Sequence, residues 1–127
     1  MLSKHQLQRS LPAVYQHLSI HGFKPVDLSP TLLPYWHSRL NRELFRGRLA
    51  KCLLTFGRSP SAYGPVYGYY IDGRIHIDRR VRTKRMLINV LAHEMIHQMQ
   101  DQYDQPLDHG KDFQAWASRL AKQGIYV

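Results

Sequence analysis

Cysteine is nearly absent: Cys52 is the single one in 127 residues. One cysteine forms no intramolecular disulfide and excludes any cysteine-based zinc finger or ribbon. Its setting, Leu49-Ala50-Lys51-Cys52-Leu53-Leu54, is apolar and predicts a buried structural thiol rather than a nucleophile. Acid is scarce as well. Asp and Glu total 9 against 18 Lys and Arg, a formal net charge of +9. Only Glu43 and Glu94 are glutamates. No run is long and apolar enough to span a bilayer, and Met1 to Gln6 opens no apolar signal-peptide core. A soluble intracellular chain, cytoplasmic or nucleoid-associated and without a membrane partner, is expected. Repeats and low-complexity tracts are missing too. Hydrophobic content of 43% argues against disorder. At this length one domain over residues 1–127 with a modest core is expected.

Hydrophobic spacing supplies the elements. Leu7, Leu11, Val14 and Leu18 form a helical stripe that ends near His21-Gly22, with Pro12 delaying its start to about Ser10. Ser29-Pro30 reads as an N-cap and first helical position, followed by the stripe Leu33, Trp36, Leu40 and Leu44 and a stop at Gly47. Strands are predicted over Leu49–Phe56, Val66–Ile71 and Arg74–Asp78. The last two flank Asp72-Gly73, a two-residue hairpin turn signal, and Gly57–Pro65 is a loop. A long helix follows over Thr83–Gln102, apolar nearly all round at Met86 to Ala92 and therefore buried. Asp101 to His109 is a polar loop. Phe113, Trp116, Ala117 and Leu120 mark a last helix stopped at Gly124. The order of helices, a small meander and helices is an α+β layout.

The chemistry lies in His93-Glu94-Met95-Ile96-His97, an HExxH motif on the buried helix. Residues four apart share a helix face about one turn apart, so His93 and His97 can bind one metal ion. Glu94 is offset from both and suits the role of base towards a water at the metal. Without a metal, three polar side chains would enter an apolar helix with nothing to offset their desolvation. A zinc ion, Zn2+, in a hydrolase takes three protein ligands and keeps an open fourth position. His109, which opens the last helix, is the best candidate for the third ligand; Asp104, Asp108 and His76 are alternatives. Asp101, Asp104 and Asp108 are candidates for holding a ligand imidazole in one tautomer. His5, His17, His21 and His37 read as surface or packing residues.

Three features stand beside the motif. His76 lies in a strand that could pair an extended peptide by β-addition, or simply face solvent. Tyr63, Tyr67, Tyr69 and Tyr70 suit hairpin packing first, and base stacking or oxyanion stabilisation second. Basic residues cluster twice, at Arg39, Arg42, Arg46, Arg48, Lys51 and Arg58, and at Arg74, Arg79, Arg80, Arg82, Lys84 and Arg85. The second cluster leads into the HExxH helix and can bring DNA phosphates near the metal, or form a solvated face.

Taken together, Asn41, Leu44-Phe45, Gly47-Arg48-Leu49, Ile75-His76-Ile77, Asn89 to His97 and His109-Gly110-Lys111-Asp112-Phe113 resemble the SprT-like family. These are zinc metallopeptidases that include the Spartan DNA–protein crosslink proteases. The resemblance runs from about Leu33 to Leu120. It implies a zincin-like fold, Zn2+ on His93, His97 and His109, and Glu94 as the catalytic base. It also implies protein substrates held on or crosslinked to DNA, with cleavage switched on by DNA contact. A minimal version without a zinc ribbon or the Spartan extensions is expected, which would suit a compact, viral genome. DNA contact would then fall to clusters such as Arg79, Arg80, Arg82, Lys84 and Arg85. Two other readings of the residues are a basic nucleic-acid-binding protein with a structural or vestigial zinc site, and a zinc hydrolase acting on non-peptide amides or esters.

Overall fold

Leu33, Trp36 and Leu40 recur at three- and four-residue steps and form the buried face of α1, Leu32–Leu44. The computed structural model describes residues 32–127. The stripe at Leu7, Leu11, Val14 and Leu18, the Ser29-Pro30 cap, and His5, His17 and His21 lie outside the described residues. After α1 the chain turns through Arg46 and Gly47, both with positive φ (55° and 71°). Asn41 brackets this turn: its amide donates to the Leu49 carbonyl at 2.9 Å, and its oxygen accepts from the Leu49 N–H at 3.0 Å.

The strand predicted over Leu49–Phe56 begins later. β1 is Leu53–Gly57. The preceding backbone is paired by helix side chains instead of a neighbouring strand. Gln98 donates to the Ala50 carbonyl at 2.8 Å, the Ala50 N–H donates to Gln102 at 2.8 Å, and Gln102 donates to the Arg48 carbonyl. A short 3₁₀ turn, Ser61–Tyr63, sits in the predicted loop. β2, Gly68–Ile71, is also shorter than its predicted Val66–Ile71, because the Val66 carbonyl accepts from the Arg80 guanidinium. β3 is Arg74–Asp78 as the pattern requires. Asp72 and Gly73 both take positive φ (47° and 78°), the geometry of a primed hairpin turn.

The sheet is not a meander. Its order is β1-β3-β2, with β1 parallel to β3 and β2 antiparallel to it. A parallel pair cannot be joined by a tight turn. The connection from Arg58 to Tyr67 therefore carries the chain past β3 and lays β2 on its far side. As the central strand β3 is buried on both faces, with Ile75 and Ile77 on one and His76 and Asp78 on the other.

α2, Lys84–Gln102, is capped by Thr83, whose hydroxyl accepts from the Met86 N–H at 3.2 Å. Every residue from Met86 to Gln100 except Ile88 is buried. Such a helix needs neighbours on all sides. It packs against β2, β3, α1 and a last helix α3, Lys111–Ala121. Phe45, on the turn after α1, packs with its ring tilted 34° and centred 4.8 Å from that of Trp116 of α3. The chain end is strapped back onto α2, for Arg85 donates to the Gly124 carbonyl at 3.0 Å and the Tyr126 N–H donates to Asn89 at 2.7 Å. The result is α+β, with three helices and a small three-stranded sheet among the described residues. No helix among them is long and apolar enough to cross a membrane.

Candidate metal centre

His93 and His97 lie one turn apart on α2, with ring centroids 5.2 Å apart, as the i,i+4 spacing requires. His109 arrives from the loop between α2 and α3. Its Nε2 stands 3.1 Å from Nε2 of His93 and 3.1 Å from Nε2 of His97. Three imidazole nitrogens thus converge on one point, within 4.8 Å of one another. Phe113 closes the floor, its ring centroid 4.7 Å from both His93 and His109 and 5.3 Å from His97.

Proton arithmetic decides what this convergence can hold. Burial holds His93 well below the ordinary 6.5, aided by the neighbouring rings; it pushes His97 down to about 4 and lowers His109. All three are therefore neutral at pH 7. His97 Nδ1 lies 2.8 Å from the Gln100 side-chain oxygen, which only accepts, so Nδ1 carries the hydrogen and Nε2 is a bare lone pair. A single hydrogen on His109 Nε2 satisfies only one of its two contacts. A cation at the meeting point satisfies all three lone pairs. Ligands about 2.0–2.1 Å from a tetrahedral zinc stand about 3.3 Å from one another, close to the 3.1 Å separations observed.

Glu94 is fully buried beside this cluster. Neither carboxylate oxygen has a hydrogen-bond partner among the described residues, and burial pushes the carboxyl up to about 8. A buried carboxyl without partners is costly. It fits a place beside a cation and a water. Strand β2 passes close by at Gly68, where a Cβ would stand 3.6 Å from Glu94 Cγ.

A family model described as the SprT-like family matches residues 33–126. The chain belongs to the SprT-like family. No curated protein matches it. The family match reaches six residues beyond the Leu120 limit of the motif resemblance and takes in the strapped chain end.

The remaining candidates of this SprT-like chain have other partners. His76 lies outside the histidine cluster: its Nδ1 meets the Thr55 hydroxyl at 2.7 Å, its Nε2 donates to the Gly57 carbonyl at 3.1 Å, and its ring stacks on Tyr69 at 5.0 Å. Nor can its strand accept a peptide, because β3 is central. Asp104 is exposed in the loop. Asp108 turns its carboxylate to the Gly110 N–H at 3.0 Å, and Asp101 accepts from Tyr70 at 2.6 Å. The side chain that meets His97 Nδ1 is Gln100, at 2.8 Å, a neutral amide in the place where a carboxylate is expected. Its signal is present in the sequence, as a polar residue three positions after His97 shares that histidine's helix face. His37 is a packing residue, buried against Gln98 at 2.8 Å and Cys52 Sγ at 3.5 Å. The Cys52 thiol is half-buried, and desolvation pushes it up to about 11, too high for a nucleophile. Tyr69 and Tyr70 are buried, Tyr63 packs on Tyr69 at 4.8 Å, and Tyr67 lies under Arg80 at 4.8 Å. Hairpin packing accounts for all four.

Proposed function

We propose that this SprT-like domain is a zinc-dependent metalloendopeptidase of zincin-like type that cleaves proteins bound or crosslinked to DNA. The observation that carries the reading is the convergence of the His93, His97 and His109 Nε2 atoms beside the buried, unpartnered carboxylate of Glu94. Three neutral imidazoles and an open position suit zinc. When bound, zinc lowers the pKa of a water from 15.7 towards about 7 and polarises a peptide carbonyl. A cation held by the three imidazoles would favour the ionised form of the Glu94 carboxyl, which burial alone pushes up to about 8; Glu94 would then take the proton from the attacking water on a carboxylate oxygen and return it to the leaving amine. Burial on α2 excludes bulk solvent from that exchange. β2 pairs only with β3 among the described residues, so its outer edge offers backbone groups to an extended peptide, and Gly68 brings that edge beside Glu94.

The basic cluster gives DNA its place in this reading. Arg79, Arg80, Arg82 and Lys84 are exposed at the start of α2. Lys84 precedes His93 by nine residues, roughly 14 Å along the helix at 1.5 Å per residue. DNA held there leaves the metal to a protein lying on the duplex. A purely structural metal site, in a protein that only binds nucleic acid, has no use for a buried carboxyl such as Glu94.

Glu94→Gln tests the mechanism. The variant keeps its zinc by mass spectrometry and loses about 10²–10⁴-fold in cleavage of a DNA-bound protein. Undiminished cleavage by that variant rejects the role of Glu94.

A further inference from the structure

We infer that Gln100 is a positioning residue that locks the His97 tautomer and at the same time anchors the loop that delivers His109. The inference rests on the metal-centre reading above and adds to it a residue outside the ligand set. Gln100 is 1% exposed and stands three positions after His97, on the same face of α2.

Its two side-chain atoms face opposite ways. Nε2 donates to the backbone carbonyl of Asp108 at 3.1 Å. Oε1 lies 2.8 Å from His97 Nδ1. The Asp108 carbonyl can only accept, so the amide nitrogen must face it, which leaves the amide oxygen for the imidazole. An amide oxygen also only accepts, so His97 must carry its hydrogen on Nδ1. In a neutral ring that leaves Nε2 bare, directed at His109 Nε2. One amide therefore sets the donor state of one ligand and tethers the residue immediately before another.

The backbone of Gln100 reinforces the tether. Its carbonyl accepts from the Gln105 N–H at 2.7 Å, where the loop turns back through Asp104 (φ 56°). The loop is thus pinned to Gln100 at Gln105 and at Asp108. Beyond it, Gln114 donates to the His109 carbonyl at 3.1 Å and completes the hold from α3. His93 has no such support: its Nδ1 has no hydrogen-bond partner among the described residues. The two helical histidines are therefore unequal, and His93 serves as an internal reference.

Outer partners of ligand histidines typically contribute roughly 10- to 100-fold in metal affinity. The test uses the full chain with Gln100→Met, similar in length but without hydrogen-bonding groups, and Gln100→Glu, which restores an acceptor towards His97 while losing the donor to Asp108. Zinc affinity is measured by chelator competition. The tautomers of His93 and His97 are read from ¹⁵N–¹H long-range NMR correlations in the metal-free protein, and thermal melting of that form reports folding.

The expected results separate the two functions of the amide. Gln100→Met weakens zinc binding roughly 10- to 100-fold and lets His97 lose its Nδ1–H preference, while the His93 signals keep theirs. Gln100→Glu keeps the His97 Nδ1–H form and recovers part of the affinity. A Gln100→Met variant that folds, binds zinc within twofold of wild type and keeps the His97 tautomer overturns the inference. So does equal disturbance of His93 and His97, which marks a general loss of packing. Absence of zinc binding in the wild type overturns the metal-centre reading itself. The wild-type His97 tautomer still judges the lock in that case, and an Nε2–H form there rejects it.

Discussion

A Cβ added at Gly68 would stand 2.8 Å from Val90 Cγ1, closer than real side chains come, and 3.0 Å from the backbone carbonyl of His76. Edge strand β2 therefore touches α2 one turn before Glu94, and only the missing side chain allows it. Gly68→Ala must push the strand off the helix. Overpacking of this kind costs about 1–3 kcal/mol. The variant should melt earlier and cleave more slowly even though it touches no ligand. Because one obstacle is backbone, adding Val90→Ala should restore part of the stability and not all of it. A Gly68→Ala melting point equal to wild type would show that β2 is looser than this packing requires.

Asp78 and Arg80 hold the far end of β3. Burial raises the Asp78 carboxyl, but hydrogen bonds from Ser59 and Arg80 outweigh it and bring it down to about 2. A carboxyl whose folded value lies below its unfolded one stabilises the fold above the ordinary 3.8, and that stabilisation is lost as pH falls towards about 2. Because solvent around the exposed Arg80 screens the pair, the shift corresponds to no more than about 1–2 kcal/mol. Asp78→Asn should lose about that much at neutral pH and show a flatter acid limb in denaturant titrations across the same window. An unchanged acid limb would assign the acid sensitivity to other carboxylates.

The three imidazoles converge only when the loop to α3 is folded, so a metal bound by them would be linked to folding. Zinc at about a thousandfold over its dissociation constant should add roughly 4 kcal/mol to stability. Chelation should lower the melting temperature of the wild type and move His109→Ala far less. If chelator leaves the wild-type melt in place, no ion couples to this fold.

Arg79 and Arg82 are exposed beside the start of α2, whereas Arg80 is tied to Asp78 and Arg85 to Gly124. If the cluster meets DNA, Arg79→Ala with Arg82→Ala should reduce the slope of log affinity against log salt by about two contacts at roughly 0.9 each. Zinc content should stay at the wild-type level. A wild-type slope in the double variant moves the DNA contact elsewhere or removes it.

Several elements are legible in the residue pattern alone because their causes are local. The i,i+4 pairing of His93 and His97 follows from helical geometry. The Asp72-Gly73 turn follows from the positive φ that both positions need, and the extent of α2 follows, to within a residue, from its apolar run. Val66 and Leu49 mislead for the opposite reason. Both look like strand residues, yet their neighbourhoods are satisfied by Arg80, Gln98 and Gln102, side chains far away in sequence. Strand order is equally hidden, since neither the parallel pairing of β1 with β3 nor the edge position of β2 leaves a mark on residue spacing.

By itself the sequence determined two histidines on one turn of a buried helix, with a carboxyl between them, because hydrophobic periodicity and helix pitch act over a few residues. Only the tertiary structure brought His109, rather than Asp104, Asp108 or His76, to the other two histidines. That choice depended on hydrogen-bond saturation across the fold. His76 spends both ring nitrogens on Thr55 and Gly57, while Gln100 and Gln114 hold the loop so that the His109 nitrogen faces the other two.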